Sequence, residues 1–182
     1  YRNVNAKERF TALQTGEVDI LSRNTSWTFS RATSQGLDFA PVVFYDGQAV
    51  MVRKNSNIKS VQDLKNKAIC VQTGTTTEQN LADQMRKRGI TYKSVVFEDV
   101  NVTFATYAEG RCDAVTTDRS GLVSRRTTLP KPEDNVILDD VLSSEPLAPA
   151  VAKGDTKWSD IVKWTVYALI KGEELGINSQ NL

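Results

Sequence analysis

A threonine-rich loop between residues 70 and 78 carries the groups best suited to bind a small anion. The sequence runs from Cys70 through a glycine and three consecutive threonines to Glu78, after a β-prone segment and before a helix-prone one. The first turn of a helix leaves backbone N–H groups without acceptors, and the helix dipole makes that end partly positive. A carboxylate fits there, with the hydroxyls of Thr75, Thr76 and Thr77 as additional donors. The alternative is a threonine-capped helix that binds no ligand.

The residue inventory argues against several classes of function. The loop lacks the lysine of a P-loop and the glycine pattern of dinucleotide-binding turns, so nucleotide binding is disfavoured. The sequence has no histidine, which removes the Ser-His-Asp and Cys-His nucleophile arrangements and the commonest metal ligand. Its 23 basic and 22 acidic residues give a net charge of +1, so no bulk field recruits nucleic acid or a membrane. We expect no metal, no cofactor and no nucleic-acid partner.

The elements that must position this loop alternate between strands and helices, which predicts an α/β fold with doubly wound sheets. A hydrophobic content of 40% and a charged content of 25% are typical of a globular protein. No apolar run reaches the roughly 20 residues of a membrane span. Helices are predicted over 5–14, 102–108, 120–126 and 158–175, a helical turn over 61–64, strands over 18–21, 68–71, 94–97, 114–117 and 136–138, and extended segments over 39–52 and 147–152.

The middle of the chain, between Lys54 and Lys153, forms a self-contained βαβαβ run. The chain enters it through an extended segment near residues 49–53 and leaves it through another near 147–152, which predicts a two-strand hinge. We therefore expect a complete, inserted second lobe at residues 51–151. The first lobe would comprise residues 1–50 and 152–182. A ligand of such sheets binds in the crevice at the strand C-termini, here between the lobes.

Several short motifs, in order along the chain, together resemble one protein family. The chain resembles the extracytoplasmic solute-binding proteins of polar-amino-acid ABC transporters, specifically the general L-amino-acid-binding branch. The resemblance implies a two-lobed type 2 periplasmic-binding-protein fold, a periplasmic location and no enzymatic activity. It also implies that the protein captures L-amino acids by lobe closure and delivers them to an ABC permease, with a broad specificity for polar or acidic side chains. The motifs are Arg9–Leu13, Gly16–Asp19, Leu21–Thr28, Tyr45–Gln48, Cys70–Glu78, Gly110–Asp113 and Thr117–Gly121.

The resemblance further implies which residues bind the ligand. A zwitterionic amino acid needs a cation for its carboxylate and an anion for its ammonium group. Arg31 aligns with the family's carboxylate-binding arginine, and a guanidinium suits bidentate recognition. Thr76 would donate to the same carboxylate, and Asp118, directly after a strand, matches the ammonium-binding aspartate. The other contacts implied come from Asn24, Ser26, Thr75 and Thr77.

Most of these side chains also have a purely structural interpretation. Arg31 would otherwise be an ordinary surface arginine, and Asp118 would cap the helix that follows it. Arg23 either forms a salt bridge within its loop or reaches the side chain of the ligand. Trp27 either lines the ligand pocket or packs in the core. The tryptophans expected to pack with the last helix rather than touch ligand are Trp158 and Trp164.

The two cysteines, Cys70 and Cys112, lie in or beside strands that neighbour each other if the second-lobe sheet has the order 2-1-3. A disulfide is then geometrically possible, and two buried free thiols are the alternative. The resemblance implies an oxidising periplasm and so favours the disulfide. Neither sulfur is expected to be catalytic, because the chain has no histidine to activate one.

The chain departs from the resembled family at both ends. A full member carries a strand–helix–strand segment before Tyr1 and a further portion after Leu182, so we expect an incomplete first lobe. The apolar surface and sheet edges that this exposes predict self-association. Two other functions stay open: an enzyme on the same fold, such as the related periplasmic dehydratases, or a truncated, non-transporting or sensor-type module that oligomerises and binds ligand weakly or not at all. The absence of histidine and of a carboxylate pair near Arg31 argues against the enzyme.

Overall fold

The computed structural model describes residues 1–181, which divide into two compact units. Unit 1 comprises Tyr1–Arg2, Glu8–Tyr45 and the residues from Pro146 onward. Unit 2 comprises Asn3–Lys7 and Asp46–Glu145. Among the described residues, no helix is long and apolar enough to cross a membrane.

Six helices and eight strands make up the regular structure of the described residues, with short 3-10 turns between some of them. In chain order they are α1 (Arg9–Gln14), α2 (Phe29–Ser34), β1 (Leu37–Phe39), β2 (Phe44–Arg53), β3 (Ala68–Gln72), α3 (Thr76–Lys87), β4 (Lys93–Phe97), α4 (Val100–Ala108), β5 (Ala114–Asp118), α5 (Arg119–Arg126), β6 (Asn135–Ile137), β7 (Ser143–Leu147), β8 (Ala150–Ala152) and α6 (Thr156–Glu174).

Unit 2 is built on one mixed sheet with the strand order β4-β3-β5-β2-β6. Strand β3 runs parallel to β4 and β5, and β2 runs antiparallel to β5 and β6. The three parallel strands therefore have the 2-1-3 order that the sequence analysis assumed. In β2, Val50 and Val52 join one hydrophobic cluster while Ala49 and Met51 join the other. This continuous apolar run is typical of a strand that is buried on both faces.

Unit 1 has a smaller sheet, in which β1 pairs antiparallel with β8. The helix α6 packs on it through Trp158, Val162 and Val166, which meet Ala40 and Val151. These three helix positions are four residues apart, so they lie on one face of α6. Other large apolar side chains of α6, among them Trp164, Tyr167 and Leu169, are exposed.

Some predicted elements are wrong in extent or kind. The predicted strand at 18–21 is reduced to a single bridge between Leu21 and Ala150, because only one of its residues finds a partner. The helix predicted over 5–14 begins at Arg9. The extended segment 39–52 contains the end of β1, an irregular stretch over 40–43 and most of β2, while 147–152 contains the end of β7, two irregular residues and β8. The helix α2 was missed, and Trp164 is 67% exposed instead of packed against the unit.

Candidate functional site

The loop before α3 folds as a capped helix start, as its threonines predicted. Thr75 is the N-cap: its hydroxyl oxygen accepts from the backbone N–H of Glu78 at 3.1 Å. The same hydroxyl donates to the carbonyl of Gln72 at 2.7 Å. Gly74 has a φ of +73°, and a Cβ there would lie 3.2 Å from Cα of Lys7. A glycine is needed because both the backbone conformation and the close approach exclude a side chain.

The hydroxyls of Thr73, Thr75 and Thr76 donate their hydrogens to acceptors within unit 2. Thr76 donates from Oγ1 to Oε2 of Glu145 at 2.9 Å. Thr73 donates from its hydroxyl to Oε2 of Glu78 at 3.0 Å, and Thr75 donates to a carbonyl, as described above. A hydroxyl has one hydrogen to donate. None of these three hydroxyls has a second hydrogen for an anion, whereas the first turn of a helix also presents backbone N–H groups.

Glu145 is a buried carboxylate that the sequence analysis missed. Besides Thr76, it accepts from Nδ2 of Asn80 at 2.8 Å and from Oγ of Ser143 at 2.5 Å. Thr76 and Asn80 lie four residues apart on one face of α3, so this carboxylate ties the first turn of that helix to β7. Its only sequence signal is an acidic residue before a proline in a segment that otherwise becomes apolar.

Asp118 is the last residue of β5 and is buried. Its side chain makes no capping hydrogen bond to α5, so its interpretation as the cap of that helix is wrong. Asp46 has that role: its carboxylate accepts from the backbone N–H of Ser120 at 3.3 Å and also from the Ser120 hydroxyl. This cap has no local sequence signal, because it comes from a residue 74 positions away.

Arg31 lies in α2 and is only 6% exposed, so its interpretation as a surface arginine is also wrong. Its guanidinium donates from Nη1 to the carbonyl of Ser26 at 2.8 Å. The guanidinium carbon lies 5.1 Å from the centre of the Phe10 ring. Thr28 caps α2 by accepting from the backbone N–H of Arg31 at 3.3 Å. The helix start and the aromatic ring thus hold Arg31 against the loop that precedes it.

A second buried arginine, Arg9, holds the same loop and was not predicted as a site residue. Its Nη1 donates to the carbonyl of Asn24 at 2.6 Å and to the hydroxyl of Thr25 at 3.1 Å. Its guanidinium carbon lies 4.6 Å from the centre of the Phe10 ring, the ring that Arg31 also approaches. The signal available was its position in the predicted helix on the same face as Ala6 and Leu13, three residues before it and four residues after it. Two cations therefore fix the backbone between Asn24 and Ser26.

The structure places the predicted ligand residues in two groups. Arg23, Asn24, Ser26 and Arg31 belong to unit 1. Thr75, Thr76, Thr77 and Asp118 belong to unit 2. The two roles considered for Arg23 stay predictions.

Two of the three tryptophans pack within unit 1. Trp27 stacks on Phe39 with ring centres 5.7 Å apart and an interplanar angle of 10°, yet it stays 44% exposed. Trp158 donates from Nε1 to the carbonyl of Asp19 at 3.1 Å and packs with α6 as predicted. The exposed part of Trp27 leaves its lining role open as a prediction.

Cys70 and Cys112 form the predicted disulfide, with Cα atoms 5.7 Å apart. Arg53 supports it by donating from Nη2 to the carbonyls of Cys112 at 3.0 Å and of Tyr107 at 2.6 Å. The Tyr107 hydroxyl donates to Oδ1 of Asn135 at 2.7 Å. Burial raises the pKa of Tyr107 to about 12, against a smaller lowering by the Arg53 charge. No group of three or more acidic, cysteine or histidine side chains within residues 1–181 could hold a metal ion.

Comparison with known proteins identifies a family and close relatives. The family profile of bacterial extracellular solute-binding proteins, family 3, matches residues 1–180. The general L-amino acid-binding periplasmic protein of Rhizobium johnstonii is 56% identical over all 182 residues, which cover 53% of its own length. The glutamate/glutamine/aspartate/asparagine-binding protein of Rhodobacter capsulatus is 50% identical over the same 182 residues, or 54% of its length. The chain thus spans about half the length of these curated relatives.

Solved structures of binding proteins are also similar to this chain. An ABC transporter periplasmic binding protein from Brucella ovis, with glutathione bound, superposes with a TM-score of 0.94 at 50% identity. That match covers 99% of this chain and 57% of the other. An ancestral arginine-binding protein bound to arginine superposes with a TM-score of 0.82 at 29% identity, covering 97% of this chain and 75% of the other.

Proposed function

Because the chain belongs to the bacterial extracellular solute-binding proteins of family 3, we propose that it carries amino-acid-binding residues that capture L-amino acids for an ABC permease. Its family and close relatives are solute-binding transport proteins and not enzymes. The α/β fold predicted from the resemblance is confirmed by the solved relatives. No bond is made or broken in such a function; the free energy of ligand binding is used to shift the protein between conformations.

The observation that carries this proposal is the buried guanidinium of Arg31. It is held by the Ser26 carbonyl and the Phe10 ring on a loop that Arg9 also braces. A guanidinium suits bidentate recognition of a ligand carboxylate. We assign Arg31 to the α-carboxylate of the amino acid, with Asn24 and Ser26 as neighbouring contacts.

Unit 2 supplies the complementary groups of the proposed site. The first turn of α3 offers backbone N–H groups at Thr76 and its neighbours Thr75 and Thr77 for the same carboxylate. Asp118, at the C-terminal end of β5, is assigned to the α-ammonium group, since a carboxylate forms strong charge-assisted hydrogen bonds with an ammonium.

The ligand class proposed is broad and favours polar or acidic L-amino acids. The relative from Rhodobacter capsulatus is named for glutamate, glutamine, aspartate and asparagine. The Brucella ovis structure holds glutathione, whose γ-glutamyl residue carries a free α-carboxylate and α-ammonium group. Recognition of these α-groups would be shared by all such ligands, and Arg23 is the candidate contact to the ligand side chain.

We propose an extracytoplasmic, periplasmic location. The relative from Rhizobium johnstonii is named a periplasmic protein. The disulfide between Cys70 and Cys112 supports this location, because disulfides persist in oxidising compartments such as the periplasm.

Thermal unfolding in the presence of each of the twenty L-amino acids and of glutathione tests the function. A ligand at a hundred times its dissociation constant adds about 2.7 kcal/mol to stability, which raises the melting temperature by several degrees. We expect such a shift for polar or acidic amino acids, and we expect Arg31→Ala to abolish it. If no ligand shifts the wild-type transition, the chain does not bind amino acids and the proposal is wrong.

A second candidate function is a non-transporting or sensor-type module that associates with itself and binds ligand weakly or not at all. The observation that favours it is the exposed apolar face of α6, with Trp164 67% and Tyr167 47% exposed. Self-association without any amino-acid-dependent shift in melting temperature would support this module over the transport protein.

A further inference from the structure

Gln48 is a fully buried polar residue in β2, at 0% exposure, directly beside the proposed ammonium-binding residue. In the antiparallel ladder between β2 and β5, Gln48 is the register partner of Asp118. Partner residues of this kind have their side chains on the same face of the sheet, about 5 Å apart at Cβ. The α3 helix covers Gln48 on this face, since the Gln48 amide reaches Thr77.

The amide nitrogen of Gln48 joins the two ends of unit 2 that are proposed to bind ligand. Nε2 donates to the carbonyl of Thr77, in the first turn of α3, at 3.1 Å. It also donates to Oγ1 of Thr116, two residues before Asp118 in β5, at 3.0 Å. Because the Thr116 hydroxyl gives its hydrogen to the carbonyl of Ala49 at 2.7 Å, it can only accept from Gln48. The network therefore fixes which end of the amide faces α3.

The other end of the amide is in an unfavourable position. Oε1 of Gln48 is buried and has no hydrogen-bond partner within residues 1–181. An unsatisfied buried acceptor destabilises a fold, and an unbranched apolar side chain of similar size would avoid that loss. Removing the amide would cost its two acceptors little, since Thr77 keeps its bond within α3 and Thr116 keeps its bond to Ala49. Stability alone does not explain why this position is polar.

We propose that Gln48 is a positioning residue of the ligand site, holding the first turn of α3 at a fixed distance from the end of β5. This inference rests on the proposed function, because it assigns a purpose to the spacing between the N–H groups at Thr76 and the carboxylate of Asp118. A ligand that bonds to both through its α-carboxylate and α-ammonium group needs that spacing to match its own. The bridging amide sets the spacing before the ligand arrives, which lowers the ordering cost of binding.

The test is the variant Gln48→Met, which keeps an unbranched chain of similar length and removes both the bridge and the orphaned oxygen. Gln79→Met is the matched control, because it replaces the same residue type at an exposed position of α3. Three quantities are measured on each protein: the melting temperature without ligand, the dissociation constant for the amino acid that shifts the wild type most, and amide hydrogen exchange over residues 75–78 and 116–118.

Gln48→Met is expected to keep or raise the melting temperature, to weaken binding by about fivefold, and to speed exchange in both segments. Gln79→Met should change none of the three. Thr116→Val, which removes the bridge at its β5 end only, should also weaken binding and speed exchange. A purely structural role of Gln48 predicts a different pattern: a lower melting temperature, and unchanged local exchange after correction for the loss of global stability. That result would overturn the proposal.

The exchange measurement separates this proposal from the function on which it rests. If wild-type protein binds no amino acid, the proposed function fails, while faster exchange in both segments of Gln48→Met would still show that the amide links α3 to β5. If wild-type protein binds amino acids and Gln48→Met leaves both affinity and exchange unchanged, the positioning role is wrong and the function stands.

Discussion

The direction of a single hydroxyl hydrogen decides how α3 presents itself to a ligand. The Thr76 hydroxyl donates its hydrogen to the buried carboxylate of Glu145, so this side chain is bonded within unit 2. We propose that an anion at this helix start is recognised by backbone N–H groups, which any residue except proline supplies. In this proposal the hydroxyls of Thr75 and Thr76 fix the turn and do not contact the anion.

The variant Thr76→Val tests this division of labour. Removing the hydroxyl leaves Glu145 with one donor fewer, and we expect the free energy of unfolding to fall by about 1 kcal/mol. Amino-acid affinity should change by less than about threefold, because the backbone N–H remains. Chemical denaturation and calorimetric titration measure the two effects, with Thr165→Val as the control at an exposed helix position. A large loss of affinity with unchanged stability would show that the hydroxyl binds the ligand directly.

The raised pKa of Tyr107 leads to a prediction of how the stability of the fold changes at alkaline pH. Burial raises its pKa in the folded state to about 12, above the roughly 10 of an unfolded tyrosine. A group whose folded pKa is raised stabilises the fold fully below its unfolded pKa, and this stabilisation is lost as pH rises through the folded value. We therefore expect stability to fall between about pH 10 and pH 12 for this reason.

Tyr107→Phe isolates that contribution, because it removes the ionising group and keeps the ring under Arg53. The difference in unfolding free energy between wild type and variant should narrow over this pH range. Absorbance at alkaline pH should show one of the five tyrosines titrating well above the others in wild type only. Parallel stability curves for the two proteins across the same range would contradict the assignment.

At the scale of elements, the disulfide is the strongest covalent constraint on unit 2. It joins β3 to a cysteine two residues before β5 across a sequence separation of 42. In the chain-entropy model a loop of this length contributes about 4 kcal/mol by restricting the unfolded chain. The double variant Cys70→Ala/Cys112→Ala should lose stability of that order in denaturant unfolding.

Reduced wild-type protein is the control for the cysteine variant, since it keeps both sulfur atoms in the core. If the constraint on the unfolded chain dominates, the reduced protein and the double variant should lose similar amounts of stability. If the reduced protein stays as stable as the oxidised protein while the variant does not, packing of the sulfur atoms is the larger effect. The expected stabilisation through the restricted unfolded chain is then wrong.

The elements also show which features a sequence can predict. The capped start of α3 follows from its local residue types, and the alternation of strands and helices follows from the hydrophobic period. The disulfide was favoured only through the family resemblance, with the 2-1-3 strand order assumed. The clamp of Glu145 on Thr76 and the bridge of Gln48 to Thr116 do not follow from local sequence, because their partners lie 69 and 68 residues away. Such bonds depend on tertiary packing, which a single residue's type does not encode. The short helix α2 was missed for the related reason that its six residues show no clear period.

At the scale of the whole molecule, the exposed face of α6 is the feature that stability alone does not explain. Trp164 and Tyr167 lie with ring centres 5.5 Å apart on this surface and are 67% and 47% exposed. Contiguous apolar surface of this kind commonly mediates association between proteins. The self-association expected from the sequence stays a prediction.

Sedimentation velocity over a range of concentrations tests that prediction. We expect the mean sedimentation coefficient to rise with concentration for wild type and to rise less for Trp164→Ser. Val123→Ser is the control, because Val123 is an exposed apolar residue of α5 in unit 2. A wild-type coefficient that stays at the monomer value at every concentration would show that this face does not drive association.

The most direct measurement of the central claim is a pair of calorimetric titrations, with L-glutamate and with glutarate, which is glutamate without its ammonium group. Wild type should bind L-glutamate more tightly. Arg31→Ala should weaken both ligands, whereas Asp118→Asn should weaken L-glutamate by at least about thirtyfold and leave glutarate nearly unchanged. That pattern would place the carboxylate on Arg31 and the ammonium group on Asp118. Absence of any binding heat from L-glutamate in wild type, or an equal loss for both ligands in Asp118→Asn, would contradict the account.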